Sequence, residues 1–208
     1  MLEIYGRANS INVRKVLWMC GELDLAYQRT DWGRGFRATS EAEFRRVSDF
    51  GVVPVIVDDG FVLRESNTIV RYLASKHGRD DLYPTGLRER ATVEQWMDWA
   101  STDLYLGVRP VFLGLVVKMA PFKDQPDAIK AAGREWNGQM ERLERHLAAS
   151  GPFVAGARFT IGDIPVGLTV NRWASIDFEK PALPAVSAYY ERLSERPAFR
   201  AHGRNGTP

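Results

Sequence analysis

The stretch Val53-Pro54-Val55-Ile56-Val57-Asp58-Asp59-Gly60-Phe61-Val62-Leu63-Arg64-Glu65-Ser66 decides the fold. A proline lacks the amide donor that a central strand needs, so the chain must turn at Val53-Pro54, and a cis peptide is the usual device. Asp59-Gly60, between apolar runs at 55–57 and 61–63, is a tight hairpin signal. The second run leads straight into Glu65-Ser66-Asn67-Thr68, after which Ile69, Val70 and Leu73 carry helical spacing. A helix start gathers free backbone N–H groups that suit a carboxylate, and Glu65 beside it suits an amine. An exposed peptide edge next to a site for an α-amino acid is what recognition of a small peptide requires.

Upstream, Leu2-Glu3-Ile4-Tyr5 alternates like a buried strand and is followed by the turn Gly6-Arg7-Ala8-Asn9. Ser10 is a good N-cap, and Val13, Val16, Leu17 and Cys20 follow at helical spacing, which places Arg14, Lys15 and Glu22 on other faces. Gly21 and Asp24 end that helix before a strand at 26–31, and 41–47 reads as a short helix. Downstream, Gly78, Asp80, Asp81, Pro84 and Gly86 cluster at a break. Beyond it the chain reads as helix. Val93, Trp96, Met97, Ala100 and Leu104 form one stripe, with a bend expected at 107–110. Ile129, Ala132, Trp136, Met140, Leu143 and Leu147 form another, and Thr160-Ile161-Gly162-Asp163 is a capping box opening a helix through Trp173. Val186, Tyr190 and Leu193 mark a last helix ending before Pro197, with a mobile polar tail expected from His202. The division expected is an α/β domain over 1–77, a linker over 78–88 and an all-helical domain over 89–208.

Composition narrows the function classes. With 208 residues, Lys+Arg 28 against Asp+Glu 26 gives a net charge of +2 with the signs interspersed, so no basic stripe points to nucleic acid or an anionic membrane. Arg109, Pro110 and Lys118 interrupt the longest apolar helical stretch, which argues against a membrane span. The opening strand leaves no room for a signal peptide, so a cytoplasmic protein is expected. The single cysteine, Cys20, excludes an internal disulfide and a C-x-x-C pair, and its place on an apolar stripe reads as packing. His77, His146 and His202 lack metal-ligand spacing, so no metal is expected.

The sequence V-P-V-I, D-G, L-R-E-S-N-T-I-V-R-Y-L resembles the signature of cytosolic glutathione transferases, of a bacterial, serine-type or related class. The resemblance covers nearly the whole chain, including the late Thr-x-x-Asp box, and the order of features is more specific than any single motif. It implies a thioredoxin-like glutathione-binding domain followed by an all-α domain. It also implies a homodimer in which the first domain of one subunit meets the helical domain of the other. The implied activity is conjugation of glutathione, as thiolate, to apolar electrophiles in detoxification. Disulfide or peroxide reduction with two glutathiones is a variation. The alternative from another class is a non-catalytic binding or scaffold protein of the same fold.

Such chemistry must make a thiolate. Moving a thiol pKa from ~8.5 to about 6.5 needs roughly 2.7 kcal/mol, and one hydrogen bond to a charged group supplies about 1.5–3 kcal/mol. One hydroxyl at the head of the first helix therefore suffices. By resemblance Ser10 aligns with the catalytic serine or threonine, and Asn12 with an asparagine of the thiolate site in some bacterial classes. Tyr5 is the competitor, since tyrosine does this work in other classes, and simple N-capping is the other use for Ser10. The resemblance places the γ-glutamyl carboxylate on Ser66, the amine on Glu65, and the cysteinyl main chain on Val53, with Pro54 setting the geometry. Many relatives carry a polar residue before Val-Pro for the glycyl end, whereas this chain has Val52. Arg34 or Arg37 is the expected replacement.

Overall fold

A computed structural model describes residues 1–208. The first half is a four-stranded sheet of β1 (Leu2–Tyr5), β2 (Tyr27–Thr30), β3 (Val55–Asp58) and β4 (Phe61–Arg64) in the order β2-β1-β3-β4. β1 pairs parallel to β2, which requires a crossover helix, α1 (Ile11–Glu22). β3 runs antiparallel to both β1 and β4, with Ile4 opposite Ile56 and Val55 opposite Arg64. The Val53–Pro54 peptide is cis, and Asp59-Gly60 closes the hairpin with both residues at positive φ. α2 (Ala42–Val47) and α3 (Ser66–Lys76) complete this thioredoxin-like half. α3 buries Ile69, Val70, Leu73 and Ala74 against α1 and the sheet.

The second half comprises α4 (Leu87–Ser101), α5 (Asp103–Val111), α6 (Pro126–Ser150), α7 (Asp163–Ser175), α8 (Pro184–Ser194) and α9 (Pro197–His202). α1 lies between the two halves, so every residue of 13–20 is buried. Its Trp18 packs on Phe159 and Phe199 at centroid distances of 5.7 and 4.7 Å. Arg14 and Lys15, expected on faces other than the apolar stripe, are buried there all the same, at 1% and 7% exposed. A stripe of four apolar residues identifies one buried face of a helix, but two packed layers enclose it here.

Arg14 also corrects the reading of the tail. Its guanidinium donates to the carbonyls of His202 (2.5 Å), Thr207 (3.0 Å), Pro208 (3.2 Å) and Gly203. Burial moves its pKa down to about 10, and the carbonyls satisfy the N–H groups that water would otherwise hold. The segment after residue 202 is thus tied to the first helix rather than loose. Just before it, α9 is a helix that the sequence reading missed, and its Phe199 is fully buried.

The bend expected at 107–110 lies earlier, at Thr102, where φ −108° and ψ −95° separate α4 from α5. Gly107 instead serves close packing, because a Cβ there would lie 2.7 Å from the Cβ of Trp136 on α6. Pro110 is accommodated in the last turn of α5, and a π-helical turn over Phe112–Val116 follows. The capping box forms only in its Asp163 half: the Thr160 hydroxyl donates to Asp163 instead of accepting the Asp163 N–H, and Gly162 takes the N-cap position of α7. Asp163 is fully buried and accepts from the Val154 N–H (3.0 Å), the Thr160 N–H (2.8 Å) and the Tyr189 hydroxyl (3.1 Å).

Candidate active site

The head of α1, the Val53-Pro54 turn and the α5 side of the helical half enclose a cavity of about 570 Å³. Ser10, Asn12 and Val53 line it together with Arg7, Arg34 and Val52 from the first half. Tyr105, Val108, Phe112, Leu113 and Met119 supply an apolar wall opposite. A larger cleft of about 840 Å³ lies beyond the π-helical turn, between α6 and residues 177–181, and contains none of the nominated residues.

Ser10 occupies the N-cap position with extended backbone (φ −82°, ψ 125°), and its carbonyl accepts the Arg14 N–H at 2.9 Å. Its hydroxyl makes no capping hydrogen bond. The residue type is that of a cap, yet the hydroxyl is uncommitted and Ser10 lines the cavity at the head of α1, where a helix leaves its first N–H groups unpaired. Tyr5, by contrast, lies outside the cavity lining and donates to Glu3 at 2.8 Å. Burial and then Glu3 push its pKa upward.

Val53 presents an N–H and a carbonyl that pair with no other group of the chain, as a docking edge for an extended peptide must. Pro54 is buried behind it. At the head of α3, Ser66 is 7% exposed and donates to Asn12 Oδ1 at 3.4 Å, while Lys15 Nζ donates to Ser66 Oγ at 3.5 Å. These contacts are long and so are easily exchanged for an anion. Glu65 is exposed, makes an ion pair with Arg64 at 3.0 Å, and holds φ 67° and ψ 108°, a backbone state disfavoured for a side-chain-bearing residue. Neither Glu65 nor any other side chain caps α3.

Lys15 is the residue that the sequence reading passed over. It lies three residues after Asn12, one turn along the same helix face. It has no carboxylate within ion-pair distance, and burial, with Arg172 nearby, moves its pKa down to about 8 while Glu65 opposes the shift. The i, i+3 spacing from Asn12 was the available signal. Of the two loop arginines, Arg34 lines the cavity, whereas Arg37 lies over the Trp32 ring and pairs with Glu41 and Glu43. Cys20 is fully buried with its thiol pushed up to about 12, a packing residue as expected.

Residues 4–81 match the family model of the glutathione S-transferase N-terminal domain, and residues 126–192 that of the C-terminal domain. The glutathione S-transferase GstB of Escherichia coli is 36% identical over 202 residues, covering 96% of each chain. The chain belongs to the glutathione S-transferase family. A theta class glutathione S-transferase of Xanthomonas axonopodis pv. citri, solved with glutathione bound, superposes with a TM-score of 0.89. Its sequence is 37% identical, and the match covers 97% of this chain and 96% of that one. A more distant family relative, the disulfide-bond oxidoreductase YfcG of Escherichia coli, is 31% identical over 95% of this chain and 92% of its own length. Fold and enzyme class thus agree with the sequence reading: this is a glutathione transferase with a thioredoxin-like domain and a helical domain.

Proposed function

We propose that the protein conjugates the glutathione thiolate to small electrophiles, with Ser10 as the group that holds the thiolate. The observation that carries the assignment is the uncommitted hydroxyl of Ser10, a residue that lines the cavity at the head of α1. It donates to sulfur, the first-turn N–H groups add their field, and the thiol proton leaves to solvent. The sulfur then attacks the electrophilic carbon. A C–S bond forms as the bond to the leaving group breaks, and that group departs with the electron pair.

Glutathione lies along the first half. Its cysteinyl main chain pairs with the free N–H and carbonyl of Val53. The γ-glutamyl carboxylate takes the Ser66 hydroxyl and N–H with Lys15 beneath, and its amine takes Glu65, whose backbone strain fixes that carboxylate at the helix head. Arg34, which lines the cavity, takes the glycyl carboxylate in preference to Arg37, which is held by two glutamates. Asn12 either helps the thiolate or holds Ser66, to which it is already bonded. The position of Asn12 and the relative named as a disulfide-bond oxidoreductase favour a second use of the site, reduction of disulfides by two glutathiones. The working unit is a homodimer in the cytoplasm. No helix is long and apolar enough to cross a membrane.

Retention on immobilised glutathione, followed by conjugation to 1-chloro-2,4-dinitrobenzene, tests the reading. Both are expected. Retention with no conjugation and no disulfide reduction would leave a binding protein in its place.

A further inference from the structure

Four arginines line the cavity, Arg7, Arg34, Arg109 and Arg172, and no aspartate or glutamate does. None of the four pairs with an aspartate or glutamate, whereas seven arginines elsewhere in the chain do. In a chain whose charges nearly balance, that is a local excess of unpaired positive charge. Arg172, on α7, is 3% exposed, rests on the Phe112 ring at 3.8 Å, and hydrogen-bonds only the Pro208 carbonyl, at 3.3 Å. Its Nε and that of Arg7 are buried without a partner. Burial and then Arg14 push the Arg172 pKa down to about 9.

Glutathione does not account for all four. Docked on the first half, its glycyl carboxylate occupies one cation at the Arg34 side. Arg109 and Arg172 belong to the helical half, on the same side as the apolar wall of Tyr105, Val108, Phe112, Leu113 and Met119. We infer that the acceptor is an amphipathic anion, an electrophile with an apolar or aromatic body and a carboxylate or sulfonate that meets Arg109 and Arg172. This narrows the apolar electrophile expected from the family resemblance, and it rests on the transferase reading only for the reaction itself.

The test compares 4-chloro-3,5-dinitrobenzoate with its methyl ester. Each kcat/KM is divided by the uncatalysed rate with glutathione at the same pH, because the ester is intrinsically more reactive. In each, thiolate sulfur bonds to the ring carbon and chloride leaves. The carboxylate is expected to lead by about tenfold or more, the scale of one charge-assisted hydrogen bond. Arg109→Gln should cut that ratio at least about fivefold, and Arg109→Lys should retain most of it. An equal ratio, or one that Arg109→Gln does not move, overturns the inference. A second arm needs no turnover: unreactive 3,5-dinitrobenzoate should bind more tightly than methyl 3,5-dinitrobenzoate in calorimetry. Inert chlorides with that binding preference intact would sink the transferase reading and uphold the anion site. Conjugation without any preference would do the reverse.

Discussion

Replacing Lys15 with methionine should stabilise the ligand-free protein and weaken its hold on glutathione. Lys15 is 7% exposed, and its ammonium has no carboxylate partner and bonds only Ser66 Oγ at 3.5 Å. Its pKa falls from 10.5 to about 8, chiefly through burial, which corresponds to about 3 kcal/mol of folded-state cost while the charge is present. Above pH 10.5 the amine is neutral in both folded and unfolded chains, and the cost is absent. Below pH 8 it is charged in both, and only the folded chain bears the cost. The gap between Lys15→Met and the parent should therefore be about 3 kcal/mol more favourable to the variant at pH 7 than at pH 10.5. Any misfit of methionine adds a term independent of pH. Urea unfolding at a fixed protein concentration across that range reads the slope directly. Glutathione affinity should drop by about 1.5–3 kcal/mol at pH 7, since its carboxylate loses a charged donor. A stability difference that is flat with pH, together with unchanged glutathione affinity, would refute both the buried charge and its partner.

Ser66→Ala should weaken glutathione binding by about 1.5–3 kcal/mol in calorimetry, and Glu65→Gln by a similar amount; two variants that bind like the parent would move the γ-glutamyl site elsewhere. Asp163→Ala strands the buried N–H groups of Val154 and Thr160, so urea unfolding should show a loss of about 2–5 kcal/mol, and a loss under 1 kcal/mol would contradict the structural role. Light scattering at micromolar concentration should give twice the 23.5 kDa chain mass; a monomer would exclude the dimer.

Local punctuation made much of the fold legible in the sequence. Val53-Pro54, Asp59-Gly60 and Glu65-Ser66 each impose a backbone event within a few residues, and the order of those events is what the structure displays. The Asp163 bond to the Thr160 N–H was equally readable, because it closes within one turn. Burial of Arg14 and Lys15 was not legible, since it depends on a helical layer contributed by residues far along the chain. The break at Thr102 escaped because glycine and proline at 107–110 are the stronger breakers by residue type; Gly107 is small to admit Trp136, and Pro110 sits inside α5 without ending it, the chain running on into the π-helical turn. At the site, the residue types at positions 10, 12, 53 and 66 pointed to the chemistry. The arginine cluster did not, because Arg7, Arg34, Arg109 and Arg172 come from four separate segments that only the tertiary structure gathers.

The central assignment, that the Ser10 hydroxyl stabilises the bound thiolate, is tested most directly by titrating the ultraviolet thiolate band of bound glutathione. In the parent the pKa should lie below that of free glutathione. In Ser10→Ala it should rise by about one to two pH units, on the order of 1.4–2.7 kcal/mol, with glutathione affinity nearly intact because the Val53 and Ser66 contacts remain. Asn12→Ala belongs in the same titration, and a larger rise there would transfer the principal role to Asn12. A pKa unmoved by both substitutions but raised by Tyr5→Phe would contradict the serine assignment.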